Sequence, residues 1–558
     1  MKRTILFCVL ALTSPMVLAN SVEAVSANIS QNIVKNLTQQ SKVALRANKG
    51  DVDRFYADFY AANPTQSFAW LDDGKITSRS KEVLSLLEKS HYKGLFPKNY
   101  HVGKINELVA SDLANVEDQQ LLDLLMTDAA LSYLRDLSVG QPELIVVEQK
   151  NWLLPRDKFD SVAQLNGLLS ASDLAAQVAT VEPKHEQYHL LLDSLAKVLD
   201  SEASDEVETT MAVGGKMSLN DQNDKVLLLN NRLIELGYLD SAKKDQKLFD
   251  SETKKAVQAF QNEHLLEPDG VVGARTQKEL NKTKQDRATQ LITNIERWRW
   301  MPKDLGQHYL VWRWMPKDLG QHYLVVDIPS FEYYVVKDGV ETVRAKTIVG
   351  MAQRSTPVFM APMNHIVFAP YWNVPRSMAV KDKLPQLKKD PERLARSKIR
   401  ILDKNGNEID PSMVDWSQYN ANNFPYRLRQ DPGTYNALGK VKFMFPNEHA
   451  IYLHDTPQKS LFGKTERTFS SGCIRIENPV QLAEYFLKDQ DWKVDRIQKA
   501  YDGSKEQTVR LKEDMRFPVY TIYMTTAVDA NGKTVYRSDI YDRDGAMQTK
   551  IAKLSLNP

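Results

Sequence analysis

The sequence predicts a multi-domain α+β protein with a helical N-terminal part, a compact three-helix module and a β-rich C-terminal part. Three observations carry that prediction. Residues 123–137 repeat apolar side chains at helical spacing. Residues 219–284 hold short amphipathic stretches separated by glycine turns. From residue 322 the pattern changes to short apolar runs, 325–328 and 332–336, followed by an Asp338-Gly339 hairpin turn. A chain of 558 residues has the length for three or four such domains.

The elements follow in order. Met1, Lys2 and Arg3 precede an apolar run at 5–12, a Ser14-Pro15 break and the small-residue end Val17-Leu18-Ala19. This reads as a secretory signal over residues 1–19, cut after Ala19. The run is too short to span a bilayer, and no later stretch is apolar enough, so no stable membrane insertion is expected after cleavage. Phe7 before Cys8 argues against a lipidated cysteine. A net charge of +2 gives no argument for nucleic acid. Residues 20–200 read as a helical scaffold with turns at 94–100 and 138–142, and 201–218 as a polar linker. In the module at 219–284, Val226, Leu229, Leu233 and Leu236 mark one helix face, which Gly237 ends. Ser251 is the expected cap of a second helix carrying Ala256, Val257 and Phe260, and residues 269–273 turn into a third.

Residues 298–311 are then repeated without change as residues 312–325. Fourteen identical residues in tandem point to a recent in-frame duplication or to a sequence error, and no solenoid is implied, because that needs several repeats of longer period. Val325 runs straight into Val326-Asp327-Ile328, so the second copy is expected to supply the strand and the first to form an extruded loop. The β-rich domain is placed at 305–540, with a charged, Lys-, Asp- and Pro-rich insertion at 376–440. A helix is expected at 480–488 and a last strand at 518–525, while the tail to Pro558 reads as polar and uninformative.

The chemistry-bearing stretch is 452–475. Of two cysteines, Cys8 lies in the signal, which leaves Cys473 as the thiol of the mature chain. An unpaired cysteine in an exported protein is a reactive thiol, an intermolecular bridge or an inert buried side chain. A thiol nucleophile needs a base. His454 ends the strand-like run Ile451-Tyr452-Leu453 and would hold its imidazole rigidly. Gly472 lets backbone approach a substrate, and the amides of Ser471, Gly472 and Cys473 are candidates for stabilising an oxyanion. His449 and His454 are not at zinc-site spacing, and the chain has neither a CxxC nor an HExxH motif, so no metal or other cofactor is expected.

His454 followed by Ser-x-Gly-Cys-Ile-Arg at 470–475, with residues 443–447 and 451–457, resembles the large multi-domain L,D-transpeptidases with a YkuD-type catalytic domain, of the Gram-negative periplasmic type. Smaller members have His where this chain has Ser471. The pattern of residues 236–239, 256–261 and 269–273 resembles the three-helix peptidoglycan-binding module, either competent to bind or reduced to a spacer. The resemblance implies a helical scaffold, that module, and a catalytic domain whose insertion at 376–440 is a capping subdomain over the site. It implies that Cys473 attacks the third residue of a tetrapeptide stem, expels D-alanine and is resolved by a second stem to give a 3→3 cross-link. His454 is then the acid and base, with the Asp455 carbonyl orienting it. Tyr452, Trp372, Asn373 and Arg475 are candidates for the substrate cleft. Arg429 is a candidate for a stem carboxylate. Core packing for Trp372 and a salt bridge for Arg429 are the competing readings. The implied partners are peptidoglycan stem peptides and glycan, together with other cell-wall synthesis enzymes, in the periplasm. Water as acceptor would make an L,D-carboxypeptidase, and a lysine acceptor would attach an envelope protein. A non-catalytic wall-binding scaffold would not require the His454–Cys473 pair.

Overall fold

The computed structural model describes residues 44–63, 66, 68–113, 115–201, 211, 214–303 and 322–556. The expected signal sequence and most of the linker at 201–218 lie outside them. Among the described residues, no helix is long and apolar enough to cross a membrane.

The N-terminal part is built around the helix Val116–Val139, capped by the Asn115 side chain on the Asp118 amide. It is buried on almost every side, so its polar residues need partners. Asp123 accepts from the Trp70 amide at 2.8 Å and the Tyr56 hydroxyl at 2.9 Å. Burial still lifts its pKa to about 7.

The helical module comprises Asp224–Glu235, Ser251–Glu263 and Ala274–Leu280. Val226, Leu229, Leu233, Ala256, Val257 and Phe260 form its core with Phe249 and Val272. Two local expectations change. Asp250, not Ser251, caps the second helix, because its carboxylate reaches the amides of Glu252 and Thr253. Leu236 ends the first helix and is exposed, since the chain turns away at Gly237. The end of the expected linker also belongs to the module: Met211 is buried in its core, and Met217 bridges to Val272.

The helix Lys284–Trp300, opened by a Thr283/Asp286 capping box, joins the helical part to the sheet. Its Leu291, Ile295, Trp298 and Trp300 share one core with Val325, Tyr520 and Ile522. Arg297 is fully buried and bound by Glu148 and Asp544, each at 2.6 Å. Its two carboxylates offset a desolvation cost that one partner would not. Asp544 opens the helix Asp544–Leu556, whose Met547 and Ile551 enter the same core, so the tail is structural after all. The first repeat copy is not wholly loop either. Its Trp298, Arg299 and Trp300 complete a buried helix, while its residues 304–311 lie outside the described part. The second copy supplies the strand, as its continuity with Val326 predicts.

The strands of the main and inserted sheets are β1 (Tyr323–Asp327), β2 (Glu332–Lys337), β3 (Val340–Ile348), β4 (Met360–Pro362), β5 (His365–Phe368), β6 (Trp372–Asn373), β7 (Ile399–Leu402), β8 (Arg427–Gln430), β9 (Val441–Met444), β10 (Leu453–His454), β11 (Ile474–Ile476), β12 (Gln507–Arg510) and β13 (Pro518–Ile522). Among the described residues, ten of them pair in the order β12-β5-β9-β10-β11-β3-β2-β1-β13-β4. Two pairs are parallel, β10 with β11 and β1 with β13. The inserted segment, joined by Trp372–Asn373 just before its expected start at 376, forms a separate three-stranded sheet, β6-β8-β7, with its own core of Trp372, Leu387, Leu394, Ile401, Trp416 and Leu428. Tyr452 packs against both this core and that of the main sheet.

Candidate active site

The parallel pairing of β10 and β11 sets Leu453 opposite Ile474 and His454 opposite Arg475. The Ile474 amide donates to the Tyr452 carbonyl at 3.1 Å. Cys473 immediately precedes β11 and continues the register opposite Tyr452. Side chains alternate along a strand, so Tyr452, His454, Cys473 and Arg475 share one face. The rings of Tyr452 and His454 lie 5.7 Å apart. The amide and hydroxyl of Tyr452 face the Cys473 thiol and favour its charged form. The thiol itself donates to the Ala450 carbonyl over 3.7 Å.

His454 is buried, and its Nδ1 lies 2.5 Å from the Asp455 carbonyl. A donor at Nδ1 leaves Nε2 as the basic nitrogen of the neutral ring. Burial, then the positive charge of Arg475, lowers the imidazole to about 4, against the hydrogen bond to the Asp455 carbonyl. Burial raises the Cys473 thiol, opposed by the polar groups of Tyr452 and by Arg475. Both shifts favour the neutral forms, so the resting site holds a thiol and an imidazole rather than an ion pair. The Asp455 side chain anchors the end of β10. It accepts from the Lys440 amide at 2.9 Å and the Tyr501 hydroxyl at 3.0 Å, and pairs with Lys459.

The loop before Cys473 is braced on the chain leaving β3. The Ser470 amide donates to the Val349 carbonyl at 2.9 Å, and the Met351 amide to the Ser470 carbonyl at 3.0 Å. Ser470 Oγ donates to the Cys473 carbonyl at 2.5 Å and accepts from the Gly472 amide at 3.1 Å. The Gly472 amide is therefore already engaged. Gly472 has φ +112°, a conformation suited to glycine. Its carbonyl accepts from Thr356 Oγ1 at 2.8 Å, and that same oxygen accepts from the Gly350 amide at 3.0 Å. Tyr541 closes the brace, its hydroxyl donating to the Gly350 carbonyl at 2.7 Å. Ser471 is exposed, and its hydroxyl accepts from Arg354 at 3.1 Å. Arg475 ties the loop to its surroundings, through Gln458 Oε1 at 2.7 Å and the Phe469 carbonyl at 3.3 Å.

The remaining predicted residues lie on the inserted sheet. Trp372 is buried in that segment's core, so the packing reading accounts for it. Asn373 is exposed, and it pairs with Arg429 across β6 and β8. Arg429 stacks over Tyr371, 4.7 Å from the ring centroid, and lies 3.6 Å from Asp431. Sequence reasoning missed Thr356, Tyr541, Tyr501 and Arg354. Thr356 and Tyr541 lie more than 60 residues from Cys473, and only sheet pairing brings them to its loop.

Three stretches match known families. Residues 54–195 match the Scaffold domain, residues 222–280 the "Putative peptidoglycan binding domain", and residues 321–499 the L,D-transpeptidase catalytic domain of the YkuD family. A Haemophilus influenzae protein named "Putative L,D-transpeptidase" is 38% identical over 230 residues, which is 41% of this chain and 46% of that protein. The match thus spans just under half the length of that relative. Two solved structures were also found. An L,D-transpeptidase from Mycobacterium smegmatis is 12% identical over 36% of this chain and 58% of that one, with a TM-score of 0.17. The L,D-transpeptidase (residues 123–326) from Xylanimonas cellulosilytica is 14% identical over 56% and 99%, with a TM-score of 0.15. At those TM-scores neither likeness bears on the fold. The matched stretches, with the helical and β-rich parts that contain them, show that the chain carries a YkuD-type L,D-transpeptidase catalytic domain joined to a scaffold domain and a helical peptidoglycan-binding domain.

Proposed function

We propose that the protein is a cysteine L,D-transpeptidase that joins peptidoglycan stems by 3→3 cross-links. The observation that carries this reading is the shared face of Cys473 and His454 on adjacent strands, inside the segment matching the catalytic domain. His454 Nε2 takes the thiol proton as Cys473 Sγ bonds to the carbonyl carbon of the third stem residue. The developing oxyanion falls to the amides of Ser471 and Cys473, because that of Gly472 is bound to Ser470 Oγ. The imidazolium then protonates the departing D-alanine nitrogen as the C–N bond breaks, leaving a thioester. The side-chain amine of a diaminopimelate on a second stem attacks that thioester. His454 accepts the amine proton and returns it to the sulfur. The polar groups of Tyr452 and the positive charge of Arg475 steady negative charge on the sulfur. The helical module at 222–280 holds the chain on its polymer, in the periplasm, after removal of residues 1–19.

The test uses purified residues 20–558 and tetrapeptide-rich peptidoglycan, with products resolved by mass spectrometry. New 3→3 dimers that disappear with Cys473→Ala are the expected result. Tripeptides without dimers would reassign the enzyme to L,D-carboxypeptidase chemistry. Activity that persists in Cys473→Ala would remove the cysteine from the mechanism.

A further inference from the structure

The inserted segment and the nucleophile loop belong to different cores, yet one side chain touches both. Arg354 ends the short helical turn Ala352–Arg354 between β3 and β4. Its guanidinium meets the Asp382 carboxylate fork to fork, Nη1 to Oδ2 at 2.6 Å and Nη2 to Oδ1 at 2.5 Å. Asp382 lies on the π-helical turn Ala379–Lys383 of the inserted segment. Nη1 also donates to Ser471 Oγ at 3.1 Å, two residues before Cys473. The backbone of the same turn is pressed against the loop. A Cβ on Gly350 would stand 2.2 Å from the Arg354 carbonyl oxygen and 3.1 Å from Gly472 Cα. The inserted segment therefore reaches the nucleophile loop by an ion pair and a hydrogen bond through Arg354, besides its packing on Tyr452.

We propose that Arg354 and Asp382 form a latch through which seating of the inserted segment sets the geometry of the Ser471–Cys473 loop, with Arg354 as a positioning residue. This rests on the reading of Cys473 as the acyl-transfer nucleophile. Both partners are partly exposed, so the pair adds little to stability and its effect belongs to geometry. The planar fork matters, because a lysine at 354 keeps the charge but cannot hold Asp382 twice and reach Ser471 as well. A donor stem that displaces or tightens the inserted segment would pull on the loop through this contact. Small errors in nucleophile placement cost about a hundredfold in rate, which gives the latch room to act.

The experiment compares the full chain with Asp382→Asn, Arg354→Lys and Asp382→Glu. One readout is turnover of a disaccharide-tetrapeptide, with kcat and KM separated. The other is alkylation of Cys473 by iodoacetamide, which needs no stem peptide. Thermal unfolding establishes that each variant is folded. Asp382→Asn and Arg354→Lys are expected to lower kcat about tenfold or more with little change in KM. Both should change the alkylation rate several-fold, and Asp382→Glu should recover most of the loss. Wild-type kcat and alkylation in Asp382→Asn would overturn the latch, as would a loss confined to KM. A full chain that turns over no stem peptide would sink the nucleophile reading instead. The alkylation rates would still decide whether Asp382 controls the loop.

Discussion

At the scale of residues, the proposed site rests on two groups whose burial pushes them toward neutrality in opposite directions. His454 is lowered to about 4, so it is an uncharged base through the whole neutral range. Cys473 is raised, so little thiolate exists before substrate arrives. The sign of the pH dependence follows. Activity requiring neutral His454 is lost only as pH falls through about 4, and kcat/KM should show no acid limb near the ordinary histidine value of about 6.5. Iodoacetamide alkylation of Cys473 should climb steadily from pH 7 into the alkaline range. A plateau at neutral pH would mean a thiolate–imidazolium pair and contradict this account. His454→Ala should lower kcat by about a hundredfold or more, measured as D-alanine release. The sequence singles out these two residues by local signals, a lone thiol, a histidine at a strand end and a glycine beside the thiol, together with the resemblance of His454 and residues 470–475 to the L,D-transpeptidase motif. The engaged Gly472 amide was not legible, because it depends on which way Ser470 Oγ turns.

At the scale of elements, the nucleophile loop owes its shape to the backbone leaving β3. Gly350 is the tightest point. An added Cβ there would lie 2.2 Å from the Arg354 carbonyl oxygen and 2.8 Å from the Thr356 amide nitrogen, both backbone atoms that no rotamer change can move. Gly350→Ala must therefore shift one of the two braces. It should destabilise the domain by about 1–3 kcal/mol, the usual cost of overpacking. It should also lower turnover more than that loss of folded protein explains. Gly545→Ala, where nothing lies within 4 Å of the new Cβ and the backbone is helical, is the control and should lower neither stability nor turnover. Thermal unfolding and D-alanine release on the two variants decide it. The hairpin at Asp338-Gly339, the strand at Tyr323–Asp327 and the module's apolar faces could be read from periodicity and turn chemistry. The brace could not. Val349–Met351 meets Ser470 only through a β3–β11 pairing more than 120 residues apart in sequence, and no local pattern encodes a register. The C-terminal helix escaped notice for a related reason. Its apolar positions Met547 and Ile551 are sparse, and their burial is set by the helix Lys284–Trp300.

At the scale of the whole molecule, the tandem repeat is divided between two bodies of contacts. The head of the first copy is used. Trp298 and Trp300 are buried, Arg299 binds Glu296 at 3.0 Å, and the Lys303 amide donates to Asp157 at 2.9 Å. The tail of the second copy is used as well. His322 stacks on Phe517 at 3.8 Å and lies 2.8 Å from the Tyr485 hydroxyl, while Leu324 and Val325 are buried in β1. The described head, 298–303, and the described tail, 322–325, together supply ten of the fourteen positions of the unit, and the four between them, Asp-Leu-Gly-Gln, lie outside the described residues in both copies. Because the copies are identical, deleting residues 298–311 or residues 312–325 yields the same chain, and that chain keeps one head and one tail. The shortened protein keeps every residue that makes a described contact in either copy, with head and tail now joined by four residues. Its Tm should equal or exceed that of the full chain, and its turnover of tetrapeptide stems should be no lower. A Tm lower by about 5 °C or more, equivalent to losing ~1–2 kcal/mol in a domain of this size, would mean that the additional fourteen residues make stabilising contacts of their own. Unchanged stability with raised turnover would mean instead that the additional residues hinder the catalytic cycle without touching the fold.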